Sequence, residues 1–220
     1  MTRSRLLLPL VGLLPFGGCA EADPRAPDAD PPFSRELLQA AKEYRAWGRV
    51  DDPMRLGIED CRMPPPARPA MSASPDEQTH GKKLYSLFAK DRKQYLAVAD
   101  KGSAVGQVIV KQSWAAAEVP DMKPGQTDWK RVVPTEDVGP GGTHFYPYAT
   151  QGDKIYKAAK PAGLFLMLKF DPKTPGTDDG WVYGTVTADG KTVTASGKVE
   201  SCMNCHQEAK HDRLFGLAAK

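Results

Sequence analysis

The sequence predicts an α+β fold, richer in strands than in helices, and three observations carry that prediction. "GQVIVKQSW" (106–114) is β-branched and opens on glycine, as a strand does. "GLFLMLKF" (163–170) is apolar almost throughout, the pattern of a strand covered on both faces. Twenty prolines and twenty glycines imply frequent turns and irregular connections rather than a bundle of long helices.

The elements follow in chain order. "SRELLQAAKEYRAWGR" (34–49) reads as one amphipathic helix, with Ser34 as N-cap, Leu37, Leu38, Ala41 and Tyr44 on its apolar side, and Gly48 as its stop. "CRMPPPARPAMSAS" (61–74) is a loop stiffened by Pro64, Pro65 and Pro66. "KKLYSLFA" (82–89) is a strand, and "KDRKQYLAVAD" (90–100) a short helix opened by Asp91. After the strand at 106–114, "FYPYATQGDKIYKAAKPAG" (145–163) reads as a hairpin around Gly152. "DPKTPGTDDG" (171–180) is a turn region, and "WVYGTVTADGKTVTASG" (181–197) gives two strands around Asp189-Gly190. Ser201 then caps a last helix containing Cys202-Met203-Asn204-Cys205-His206.

The N-terminus has its own logic. Arg3 and Arg5, an apolar stretch from Leu6 to Phe16, and the small residues Gly17 and Gly18 follow the order of a secretory signal. The apolar part is too short to span a bilayer as a helix. Gly17-Gly18-Cys19 resembles a bacterial lipoprotein processing site, apart from Phe16 where leucine is usual. Acylation of Cys19 would hold the chain at a membrane surface. "EADPRAPDADPPF" (21–33) is acidic, proline-rich and poor in large apolar groups, and so reads as a tether. The expected organisation is a signal over 1–18, a tether over 19–33, a helix and Pro-rich loop over 34–75, and a folded domain over 76–220. The mature chain is expected to be exported, periplasmic and lipid-anchored.

A composition with 26% charged and 40% hydrophobic residues is that of a soluble globular domain. The net charge of +3 comes from scattered Lys and Arg without a basic run, which excludes nucleic acid as a partner on charge grounds.

Cys202-x-x-Cys205-His206 is the attachment pattern of one covalent c-type haem. Each thiol adds to a haem vinyl group, and the adjacent imidazole reaches the iron from the same helical turn. Two other readings stay open on spacing alone. One is half of a zinc site completed by Cys61 and His80, His144 or His211. The other is a redox pair, which lacks its usual strand-motif-helix context. The export signal favours haem, because bacteria attach it outside the cytoplasm. No methionine follows His206, unlike the usual electron-carrier arrangement with its downstream methionine ligand.

The order "YSLFAKDRKQYLA", "VGQVIVKQSW", "GWVYG", "CMNCH" and "HDRLF", spanning roughly Lys82 to Phe215, resembles the cytochrome P-460 family, which includes the β-sheet cytochromes c′. The resemblance implies a twisted antiparallel sheet with a few helices, a C-terminal helix carrying the haem motif, and haem bound against one sheet face. It makes His206 the proximal ligand and leaves the distal position open to a small nitrogen-containing ligand or substrate. It also places Lys111 where P-460 proteins bond a lysine to the haem ring, which tunes the iron towards hydroxylamine oxidation with electrons passed to a cytochrome c. By alternation Lys111 shares a face with Ile109, while Val108 and Val110 face the other way, so a solvated lysine is the competing expectation.

One departure pulls against the enzyme. The strand that supplies a distal carboxylate in P-460 enzymes corresponds to Leu164–Phe170, which holds no acid. Phe165, Leu166 and Met167 would instead line an apolar pocket suited to nitric oxide, the cytochrome c′-beta character. Glu118, Asp121, Glu136 or Asp137 could supply a base from loops. His80, His144, Met122 and Met167 are the candidate distal ligands, which a plain electron carrier would need. His80 and His144 lie in polar, turn-rich stretches and read as surface histidines. His211 is expected on the same helix as His206. Cys61 is left as a buried thiol, and a homodimer is compatible with the sequence.

Overall fold

A computed structural model describes residues 30–50, 69–77, 79–98, 102–124 and 147–215. The expected signal, Cys19, most of the tether, the Pro64–Pro66 stretch with Cys61, and Glu136, Asp137 and His144 lie outside the described residues. Helix α1 covers Ser34–Glu43 and runs into a 3₁₀ turn at Tyr44–Trp47. Strands β1 (Ala70–Met71) and β2 (Lys83–Ala89) precede the short helix α2 (Arg92–Leu96). Then come β3 (Val108–Glu118), β4 (Tyr148–Gln151), β5 (Lys154–Lys169), β6 (Trp181–Val186), β7 (Val193–Gly197) and α3 (Glu200–His206).

The strands form one seven-stranded sheet in the order β1-β2-β3-β5-β6-β7, with β4 beside the first part of β5, and every pairing is antiparallel. The expected mostly antiparallel sheet with a few helices is therefore present. The hairpin around Gly152 forms, with that glycine at φ 60. Its second strand runs on without a break through the apolar stretch, making β5 sixteen residues long. Pro161 is accommodated because it faces Trp114 where the β3–β5 register slips, a place where a missing N–H costs no ladder bond.

Local chemistry explains the helix ends. Asp91 caps α2, its carboxylate accepting from Gln94 N at 2.9 Å. Ser34 does not cap α1. Phe33 holds the N-cap position in a left-handed conformation, its ring packed on Phe170 at 5.2 Å, while the Ser34 hydroxyl donates to Pro31 O. A half-buried aromatic contact fixes the chain's entry more strongly than one surface hydroxyl. Ser201 likewise lies inside α3, whose N-cap is Val199 without a side-chain bond.

Both faces of the sheet are covered. On one, Leu37, Ala40, Ala41 and Tyr44 pack on Phe88, Val110, Leu164, Leu166, Leu168, Val182 and Val186. The approach is so close that a Cβ on Gly184 would overlap the Leu37 side chain. On the other face, Ala89, Ile109, Met167, Trp181 and Tyr183 meet Tyr95, Val98 and Leu214, with Val199, Cys202 and Met203 packed alongside. Helix α1 and β1, which the sequence places ahead of the folded domain, thus share its core and its sheet.

Candidate functional site

Helix α3 brings the thiols and the imidazole onto the second face. Cys202 and Cys205 lie one turn apart and both are free, Cys202 half-buried and Cys205 exposed. Burial pushes the Cys202 thiol pKa up. His206, the last helical residue, lies between the rings of Tyr183 (5.6 Å) and Phe215 (5.2 Å). Its Nδ1 is 2.6 Å from Arg213 O. A carbonyl only accepts, so Nδ1 carries the hydrogen and Nε2 keeps its lone pair, the tautomer a metal-binding imidazole needs. Burial lowers the His206 pKa, with the Lys111 and Arg213 charges adding to the effect against the Arg213 carbonyl bond.

That carbonyl is held by an unusual piece of backbone. Asp212 (φ 47) and Arg213 (φ 68) are consecutive non-glycine residues in the left-handed region, a conformation that persists only where the surroundings enforce it. Asp212 accepts from Ser103 N (2.7 Å), Trp181 Nε1 (3.2 Å) and Lys169 Nζ (3.3 Å). Burial alone would raise its pKa. The two N–H donors and the lysine charge outweigh that and lower it. Arg213 donates from Nη2 to Asp178 Oδ1 (3.1 Å), and Asp178 Oδ2 accepts from the buried Tyr183 hydroxyl (3.0 Å). Burial and that bond push the Tyr183 pKa up. Nothing in the sequence spacing announces the Asp178–Arg213–His206 relay, because its members are joined only by the turn after α3.

Lys111 lies on the same face, opposite Leu87 on one side and Phe165 on the other. It is half-buried rather than solvated, and its Nζ lies 4.2 Å from the Tyr85 ring centroid. Burial first, then Lys83, pushes its pKa down to about 8, with a Cys205 thiolate opposing. Phe165 packs against His80 at 4.5 Å. His80 is not a surface histidine: its Nδ1 is buried without a hydrogen-bond partner. Burial, then the charges of Lys111, His206 and Lys83, push its pKa down to about 3 against Asp76. The Ser113 hydroxyl, two residues from Lys111 on this face, is also buried and unpartnered.

The other sequence candidates separate. Phe165 and Met167 face this site, whereas strand alternation turns Leu166 into the α1 core. His211 is not on α3: the helix ends at His206, and His211 bridges to Leu214. Glu118 is exposed and pairs with Lys154 at 3.0 Å, and Met122 lies in the turn after β3. Among the described residues no three His, Cys, Asp or Glu side chains converge as a metal-ion site, and no helix is long and apolar enough to cross a membrane. A groove of about 500 Å³ lies beside α1, lined by Arg35, Trp47, Lys90 and Phe170 among others, away from the thiols and His206.

No model of a known protein family matches the chain, and no curated protein matches it in sequence.

Proposed function

We propose that the chain is an exported c-type haem protein with an open distal iron position, oxidising hydroxylamine and passing the electrons to a cytochrome c partner. One covalent haem c is its cofactor. Cys202 and Cys205 would carry it through thioether bonds, and His206 Nε2 would be the proximal ligand. The haem supplies a redox-active iron with a position for the nitrogen compound. Two reduced thiols one turn apart, followed by an imidazole whose Nδ1–H is already committed to a carbonyl, fit that role. Acylation at Cys19 would keep the protein at a periplasmic membrane surface, a reading supported by residues 1–19.

The observation that carries the enzymatic reading is Lys111. It is half-buried on the face that holds Cys205 and His206, and close enough for their charges to act on one another. With a pKa of about 8, a substantial fraction is free amine at neutral to mildly alkaline pH, the form with a lone pair to bond a haem ring carbon. That bond would replace one N–H and one ring C–H, with the two protons lost to solvent and the two electrons taken by an external two-electron oxidant.

Optical spectroscopy with intact-protein mass tests this. The ferrous Soret band should lie far to the red of an ordinary c-type haem, and Lys111→Ala should return it to the ordinary position. An ordinary spectrum in the parent protein, unmoved by Lys111→Ala, would sink the reading. A second reading, nitric-oxide capture without turnover, is favoured by the apolar Gly163, Phe165 and Met167 that β5 turns to this face. Steady hydroxylamine turnover with a chemical acceptor counts against it. A six-coordinate low-spin ferrous spectrum without added ligand would defeat both in favour of plain electron transfer.

A further inference from the structure

We infer that His80 is the proton acceptor of this site, taking the proton from small neutral ligands that carry an ionisable hydrogen, hydroxylamine among them. The inference rests on the haem reading above and adds the base that β5 lacks. Three observations carry it. His80 packs edge-on to Phe165 at 4.5 Å, and Phe165 is the direct cross-strand neighbour of Lys111. Its Nδ1 is buried with no hydrogen-bond partner, an arrangement that is costly unless the atom has a use. In the Nε2–H tautomer that nitrogen carries an unused lone pair beside Phe165. No carboxylate competes from β5, whose 163–169 stretch turns Gly163, Phe165, Met167 and Lys169 to this face.

The step is a proton transfer. The ligand's N–H or O–H bond breaks, its electron pair stays with the ligand, and His80 Nδ1 gains the proton as imidazolium before releasing it to solvent. The groups that act on His80 are Lys111 from β3, Lys83 from β2, His206 from α3 and Asp76 from the preceding loop. Burial, with the Lys111 and Lys83 ammonium groups adding to it, keeps His80 neutral, hence able to accept, throughout the physiological range. Bonding of Lys111 to the ring would remove the second-largest opposition to a proton on His80, so the two residues act as a pair.

Hydrogen cyanide is the probe, because it arrives as a neutral acid and binds ferric haem as the anion, so a base must take its proton. Carbon monoxide, binding ferrous haem without any proton, is the control. In the haem-loaded full chain the cyanide association rate should stay flat as pH falls from about 8 through the ordinary histidine value of 6.5, since His80 stays neutral. In His80→Gln it should fall by on the order of a hundredfold, with carbon monoxide association unchanged. A parent-protein rate that climbs in proportion to pH, as when only preformed cyanide binds, overturns the inference without needing a variant. Equal loss for both probes in His80→Gln makes the residue structural and also overturns it, as does a low-spin spectrum that His80→Gln abolishes, which would make His80 a ligand. Failure of the chain to take up haem in a haem-attaching host would instead overturn the haem reading itself, and this inference with it.

Discussion

The two faces of the sheet are made from alternate residues of the same strands, yet they have opposite characters. Towards α1, β5 presents Leu164, Leu166 and Leu168 to Leu37, Ala40 and Tyr44, and the resulting core is apolar. Towards α3, the same strand presents Phe165, Met167 and Lys169 to a region that also holds Lys111, His80, Tyr183, Trp181 and His206. One face is closed by dispersion and hydrophobic burial alone, and the other adds to its apolar cluster hydrogen bonds that Asp212 and Asp178 accept from groups far away in sequence. On the second face titratable groups are half-buried at the margin of an apolar cluster, whereas on the first face the cluster stands alone.

Leu166→Ala should affect the α1 face most. It should destabilise by roughly 2–5 kcal/mol in denaturant unfolding, while the folded fraction keeps its spectrum and ligand kinetics. A changed spectrum would mean that the faces are not separate. Next in size is Asp178→Ala. It strands the Tyr183 hydroxyl and the Arg213 guanidinium, costing about 1–3 kcal/mol. It should also shift the reduction potential by loosening the carbonyl that orients His206, and Asp178→Asn should restore much of both.

A pH titration tests the second face. His80 has a folded-state pKa of about 3 against 6.5 when unfolded, so the unfolded chain binds the extra proton first and stability falls as pH drops below 6.5. That contribution reaches roughly 2 kcal/mol by about pH 5, and His80→Gln should flatten unfolding midpoints in that window. The smallest stability effect is expected from Phe165→Ala, about 1 kcal/mol, since the ring is half-buried. Its ligand association rates should change clearly, the reverse of its neighbour Leu166. Identical behaviour of the two variants would contradict the alternation.

Much of the fold was legible because its signals are local. The β-branched run at 106–114, the Asp91 cap, the Gly152 and Asp189-Gly190 turns and the apolar run at 163–170 each encode their own geometry. Where two local signals competed, tertiary contact decided. Phe33 took the cap position from Ser34 because its ring finds Phe170, and β5 absorbed Pro161 because a register slip opposite Trp114 makes room for it.

The same division holds for the site. Cys202, Cys205 and His206 could be grouped from their spacing alone, which sets them within about one turn of α3. Sequence alternation also separated Lys111 and Ile109 from Val108 and Val110. It could not say that the strand at 106–114 would lie beside the doubly covered strand at 163–170, so Lys111 could equally have met water. The burial of His80 against Phe165, the Arg213 carbonyl on His206, and the sheet face that took α3 were decided only by the tertiary structure. Each depends on groups brought together by strand pairing and by the turn after α3, and such distances leave no trace in local composition.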